Sequence, residues 1–138
     1  MILSSTVLSA IKDHAARELP HESCGYLAER NGVIEQHYEM TNMDRAADHF
    51  SMDPKEQFAA VKEMRRLGQT LAAVYHSHPE TPARPSREDI RLAYDPDISH
   101  VIISMLNPDD ISVKAFIIHG KEVRPDPITI AQAAERAE

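Results

Sequence analysis

Two histidines and an aspartate are the residues of this chain best suited to hold a metal ion. His76 and His78 end an apolar run that has the length of a buried strand. Side chains at positions i and i+2 of a strand point to one face, so the two imidazoles can meet at one point. A proline-rich loop then leads to Ser86, and a helix that begins there places Asp89 in its first turn. The spacing predicts a metal site with two nitrogen ligands and one oxygen ligand.

Three protein ligands leave one position of a tetrahedral site open, which is typical of catalytic rather than structural zinc. We therefore expect one Zn²⁺ per chain, with water as the fourth ligand. Each half of the pattern also has an ordinary interpretation. Ser86 and Asp89 have the spacing of a helix capping box, and a His-x-His pair at a strand end more often has no metal. The conjunction of both halves across a short, stiff loop favours the metal site.

The same segment resembles the signature of the JAMM metalloproteases, also called the MPN-plus or JAB domain. The shared pattern is His76-Ser77-His78, then seven residues that begin with Pro79, then Ser86-x-x-Asp89. That family also carries a glutamate just before a small Cys-Gly pair and a hydrophobic stretch. Here it aligns with Glu22 in the segment Glu22-Ser23-Cys24-Gly25. The resemblance covers nearly the whole chain.

The resemblance implies a role for each of five residues. His76, His78 and Asp89 would hold the zinc ion, which lowers the pKa of a bound water toward ~7. Glu22 would take the proton of that water and deliver it to the leaving amine as a general acid. Ser86 would stabilise the oxyanion of the tetrahedral intermediate. Composition alone does not separate Glu22 from the other acidic residues, since most glutamates are simply exposed.

The resemblance also implies a substrate class. JAMM enzymes of nucleated cells carry long insertions that grip ubiquitin, and the short interval between Asp89 and the next predicted strand leaves no room for one. The chain is similar to the compact prokaryotic branch, which cleaves after the C-terminal Gly-Gly of small ubiquitin-like or sulfur-carrier proteins and in some members releases cysteine from a carrier adduct. We expect such a partner, with its extended tail in a groove beside a sheet edge and the 41–52 loop nearby.

Other functions are also compatible with the sequence. One is a deubiquitinase-like isopeptidase. Another is a non-catalytic MPN-type scaffold that has kept the fold, lost the metal and serves only as an interaction domain. Zinc nucleoside deaminases use a related metal site but require His-x-Glu and Pro-Cys-x-x-Cys. The single cysteine of this chain excludes that motif.

Two further residues lie close to the proposed site in the sequence. Strand alternation turns Ser77 away from the metal and no base accompanies it, so we interpret it as structural. Cys24 lies two residues after Glu22 on the same predicted strand face. Free cysteine is usually a small buried hydrophobe, and we interpret Cys24 in that way. Among the remaining histidines, only His21 adjoins a proposed site residue.

The site residues depend on elements that the hydrophobic pattern predicts. Apolar residues recur at helical spacing from Val7 until Pro20, and again from Pro54, after the cap Asp53, until Gly68. A short third helix is predicted from Ser86 to about Tyr94. Predicted strands cover 23–30, 33–40, 70–77, 99–106, 111–119 and 122–124, with Asn31-Gly32 as a hairpin turn.

The order of these elements predicts the class of the fold. Neighbouring strands joined by two- to four-residue turns must pair antiparallel, whereas helices separate other strands. The class is therefore α+β (mixed α/β), with a mixed, largely antiparallel sheet flanked by helices. The resemblance implies the cytidine-deaminase-like JAB/MPN fold. We expect one domain over 1–138, with 130–138 a frayed tail or a short helix.

Composition restricts the partners. A net charge of −7 argues against binding of nucleic acid, and no apolar run approaches the ~20 residues of a membrane helix. One cysteine excludes an internal disulfide and a zinc site built from several thiolates. The first residues lack the basic start and long apolar core of a secretory signal. We expect a cytoplasmic protein without membrane or nucleic-acid partners, as a monomer or a homodimer.

Overall fold

A sheet of eight strands runs through residues 1–132, the part of the chain that the computed structural model describes. The strands are β1 (Ile2–Ser4), β2 (Cys24–Arg30), β3 (Val33–Met40), β4 (Thr70–His78), β5 (Ser99–Ser104), β6 (Ser112–His119), β7 (Glu122–Pro125) and β8 (Thr129–Ala131). The helices are α1 (Ser5–Glu18), α2 (Pro54–Leu67) and α3 (Arg87–Arg91). The strand order in the sheet is β7-β6-β5-β4-β2-β3-β1-β8.

Most neighbouring strands of this sheet run antiparallel. Strand β2 pairs antiparallel with both β3 and β4, and β6 pairs antiparallel with β5 and β7. Three pairs are parallel, namely β1 with β3, β1 with β8, and β4 with β5. The predicted α+β class with a mixed, largely antiparallel sheet is confirmed.

The predicted starts and turns of the main elements have the expected local geometry. The Ser4 hydroxyl caps α1 by accepting the N–H of Thr6 at 3.2 Å. Asp53 caps α2, which ends at Gly68 in the left-handed region with φ of 72°. Asn31 and Gly32 adopt φ of 55° and 80°, as a two-residue hairpin turn requires. The sequence therefore located α1, α2 and the β2–β3 hairpin.

The structure corrects the ends of the chain and the third helix. Residues 130 and 131, predicted as frayed tail or helix, lie in β8, which pairs with β1. A three-residue strand is too short to show a period, so neither β1 nor β8 was predicted. The rest of the predicted tail, from residue 133, lies outside the described residues. Helix α3 ends at Arg91 rather than near Tyr94, with Leu92 in the C-cap position.

Helices α1 and α2 cover opposite faces of the sheet, and β4 contributes side chains to the core on each face. Ala73 and Tyr75 belong to the core that α1 covers, whereas Val74 packs with the residues of α2. Because side chains alternate along a strand, His76 and His78 lie on the face of Val74. Among residues 1–132, no helix has the length and apolar character that crossing a membrane requires.

Candidate metal centre

The end of β4 brings two imidazoles to one point. His76 and His78 are 1% and 4% exposed, and their Nε2 atoms lie 3.1 Å apart. Each of these nitrogens also lies 3.1 Å from Oδ2 of Asp89, which comes from the first turn of α3. The structure therefore brings the three predicted ligands together, with three ligand-type atoms converging in a small triangle.

The three residues fit a zinc ion. Ligand atoms about 2.0–2.1 Å from a tetrahedral zinc lie about 3.3 Å from one another, close to the spacing seen here. Nδ1 of His78 lies 2.9 Å from the carbonyl oxygen of Pro82. A carbonyl only accepts, so Nδ1 of His78 carries a proton, and loss of the proton at Nε2 would present a lone pair to a metal at the centre of the triangle.

Ser86 and Asp89 form the capping box that was the alternative interpretation of their spacing. The Ser86 hydroxyl accepts the N–H of Asp89 at 3.0 Å, and the N–H of Ser86 donates to Oδ2 of Asp89 at 2.9 Å. The cap uses the hydroxyl only as an acceptor, and a hydroxyl also has one hydrogen to donate. The capping and chemical interpretations of Ser86 are therefore compatible.

The negative charge of Asp89 and the positive charge of His78 each favour the ionised form of the other residue. Burial opposes the ionisation of Asp89, but hydrogen bonds with His76 and His78 outweigh it and hold the pKa of this carboxyl well below its usual value. Burial lowers the pKa of His78, but its bonds to Asp89 and to the Pro82 carbonyl outweigh this and raise it. Asp89 therefore stays ionised at neutral pH, as a metal ligand must.

Glu22 lies in the connection between α1 and β2 and is 3% exposed. Its Oε1 atom has no hydrogen-bond partner among residues 1–132. Burial raises the pKa of Glu22 to about 8, the charge of His78 lowers it, and that of Asp89 raises it again. The carboxyl is therefore close enough to the triangle to feel its charges, and it can both accept and release a proton near neutral pH.

Comparison with known proteins identifies the family of this chain. The family model described as prokaryotic homologs of the JAB domain matches residues 4–116. The chain belongs to the prokaryotic JAB family. The matched segment contains the triangle, Glu22 and Ser86, and the resemblance noted in the sequence is confirmed.

Relatives of this JAB chain include named peptidases. It is 31% identical over 134 residues to the CysO-cysteine peptidase of Mycobacterium tuberculosis, covering 96% of this chain and 92% of that protein. It is 36% identical over 88 residues to the probable TtuB-protein conjugate cleaving protease of Thermus thermophilus, covering 63% of this chain and 59% of that protein.

Solved structures agree with the JAB fold of the chain. The solution structure of a Desulfitobacterium hafniense protein superposes with a TM-score of 0.87 at 42% identity, covering 96% of this chain and 94% of that one. The crystal structure of a JAB1/MPN domain protein from Archaeoglobus fulgidus gives a TM-score of 0.64 at 20% identity, covering 95% and 97%. The expected JAB/MPN fold is confirmed.

This JAB domain turns Ser77 to the sheet face opposite the triangle, whereas Cys24 on β2 lies directly across from His76. The Ser77 hydroxyl accepts the N–H of Ser23 at 2.7 Å, which ties the end of β4 to the start of β2. Cys24 is fully buried, and burial raises the pKa of its thiol to about 12. His21 lines a separate polar cavity with Glu18 and Arg45. The hydrogen bond of Ser77 and the burial of Cys24 are consistent with the structural roles predicted for them.

The JAB site also has an apolar cavity that the sequence did not reveal. The cavity measures about 510 Å³ and opens beside His76 and Asp89. Its walls include Tyr26 and Val74 from the sheet and Phe50 from the 41–52 loop. These residues come from distant segments, so no local spacing connects them. An aromatic residue within a polar loop was the one available signal for Phe50.

Proposed function

We propose that this chain is a zinc-dependent peptidase of the JAMM type, acting as a single domain. His76, His78 and Asp89 hold one zinc ion, whose fourth ligand is water. Glu22 transfers protons and Ser86 stabilises negative charge on the substrate. The observation that carries the proposal is the triangle of two Nε2 atoms and one carboxylate oxygen, 3.1 Å on each edge, beside the buried carboxyl of Glu22.

The protein residues divide the work of hydrolysis. A zinc ion at this site supplies Lewis acidity, which makes water a nucleophile near neutral pH. Glu22 accepts a proton as its carboxylate and returns it to the amine that leaves. The Ser86 hydroxyl, held by the capping box, donates to the carbonyl oxygen as negative charge develops there. Such a donor is typically worth about 3 kcal/mol in the transition state.

The proposed substrate is an amide bond after the C-terminal Gly-Gly of a small ubiquitin-like or sulfur-carrier protein, including an adduct with cysteine. The names of the mycobacterial and Thermus relatives support this class. Helix α3 ends at Arg91 and β5 begins at Ser99, so no long insertion stands there to grip ubiquitin. A glycine tail allows the closest approach of a backbone to the ligands. We therefore favour a carrier adduct over a deubiquitinase substrate.

Zinc content and turnover together test the proposal. We expect elemental analysis to find one zinc per chain in the wild type and none in the His76→Ala/His78→Ala double variant. A carrier protein joined through its Gly-Gly end to cysteine is the substrate to assay. Glu22→Gln should keep the zinc and lose turnover. No zinc in the wild type, after zinc has been offered, would leave the interaction scaffold as the function.

A further inference from the structure

The two proposed histidine ligands are held by different contacts. The ring of His78 is oriented by Nδ1, which donates to the Pro82 carbonyl at 2.9 Å. The Nδ1 atom of His76 is buried and has no hydrogen-bond partner among the described residues. A histidine ligand usually donates its second nitrogen to an acceptor, which fixes the ring plane. The plane of His76 therefore depends on a contact other than a hydrogen bond at Nδ1.

The side chain of Phe50 supplies that contact. Its ring stacks on the imidazole of His76, with centroids 4.9 Å apart and planes inclined by 29°. Rotation of the imidazole about its Cβ–Cγ bond would drive the ring edge into Phe50, and closely packed interiors resist such overlap. The stack thus restricts the direction in which Nε2 of His76 points.

Asn42, near the start of the 41–52 loop that carries Phe50, holds this loop through hydrogen bonds of its side-chain amide. The amide of Asn42 donates to the carbonyl oxygen of Glu22 at 3.1 Å and also to a carbonyl within the loop. The backbone N–H of Glu22 donates in turn to the carbonyl of Ala46 at 2.8 Å. The loop is therefore bonded to the backbone of Glu22 on both sides, and Phe50 projects from a preorganised segment.

We propose that Phe50 is a positioning residue of the metal centre. It acts through His76, whose imidazole it holds in the plane that aims Nε2 at the point shared with His78 and Asp89. The inference rests on the proposed zinc site. It requires an aromatic ring at position 50, whereas a role in packing alone would require only apolar bulk.

Zinc dissociation constants, measured by competition with a chromophoric chelator, test this role. Phe50→Leu keeps apolar bulk and removes the ring, and we expect zinc affinity to fall about 10–100-fold. Phe50→Tyr keeps the ring and should bind zinc nearly as the wild type does. Phe58→Leu is the matched control, because it makes the same exchange at a phenylalanine that is 72% exposed on α2. That control should bind zinc normally.

A second readout separates positioning from general destabilisation. The visible absorption of bound Co²⁺ reports the arrangement of its ligands, and we expect it to change in Phe50→Leu but not in Phe58→Leu. Phe50→Met, a second variant without a ring, should repeat the loss if Phe50→Leu folds poorly. Unchanged zinc affinity in both ring-free variants, or an equal loss in Phe50→Tyr, would overturn the positioning role. A wild type that binds no zinc would instead overturn the proposed function.

Discussion

Burial of the Glu22 carboxyl has a consequence for stability that can be measured without substrate. Its pKa is raised to about 8, whereas the ordinary value is 4.5. Between these pH values the folded chain keeps a proton that the unfolded chain has released. The contribution of Glu22 to the free energy of unfolding of the metal-free protein should therefore decrease as pH rises from 4.5 to about 8.

Glu22→Gln removes this titration. The metal-free variant should be more stable than the metal-free wild type at about pH 8, and the difference should shrink toward about pH 5. Urea unfolding of both proteins at three pH values in this range measures the effect. A difference that does not vary with pH would show that the Glu22 carboxyl titrates as an exposed glutamate does.

For single residues, the sequence predicted the candidate site well where the residues are close together in the chain. His76 and His78 are two residues apart on one strand, and Asp89 follows within one short loop, so their meeting could be predicted. The place of Phe50 could not, because it depends on how the 41–52 loop folds back over the sheet. The roles of the proposed ligands, of Glu22 and of Ser86 stay predictions until they are measured.

Helix α3 shows how one element serves both folding and the proposed chemistry. Ser86→Ala removes the cap, which should cost about 1 kcal/mol of stability. It also removes the proposed donor to the substrate carbonyl, so kcat should fall about a hundredfold. Asp53→Ala is the matched control, since Asp53 caps α2 by accepting the N–H of Lys55 at 2.9 Å. Chemical unfolding and turnover are measured for both.

The two cap variants should differ only in turnover. A similar loss of stability with normal kcat in Asp53→Ala would assign the catalytic loss to the Ser86 hydroxyl. Normal kcat in Ser86→Ala would leave Ser86 with capping alone.

Helices whose apolar residues recur at regular spacing were predicted well, as was the hairpin with a clear turn signal, but the shortest strands were not. Helices α1 and α2 each have an apolar stripe and a cap, and the β2–β3 hairpin has its Asn31-Gly32 turn. Strands β1 and β8 have three residues each and form through their pairing with each other and with β3. Such strands depend on partners that are distant in the chain, which the local sequence does not indicate.

At the scale of the whole molecule, a bound zinc ion would join β4 to α3 across the proline-rich loop. A ligand that binds only the folded state stabilises it, by about 2.7 kcal/mol at a hundredfold excess over its dissociation constant. Removal of zinc with a chelator should therefore lower the Tm of the wild type by roughly 10 °C, and added zinc should restore it.

The His76→Ala/His78→Ala variant is the control for this shift. Its Tm should not respond to the chelator or to zinc, as thermal unfolding followed by circular dichroism can show. An equal response in both proteins would mean that zinc acts at another place on the chain.

The class of the fold followed from turns and periodicity, but the order of the strands did not. Strand β1 lies between β3 and β8 and pairs parallel with both, so one edge of the sheet is built from residues at opposite ends of the described chain. Contacts of this range have no signature in a single sequence.

The capping box has a consequence for how such domains change over evolutionary time. Ser86 and Asp89 serve the start of α3 as well as the proposed chemistry, so a descendant without catalysis still gains from keeping both. Glu22 differs, because a buried carboxyl whose Oε1 atom has no hydrogen-bond partner within residues 1–132 costs stability. Drift in such a descendant should therefore erase Glu22 first and the Ser-x-x-Asp pattern last. Glu22 is therefore a better marker of a working enzyme than the Ser-x-x-Asp pattern.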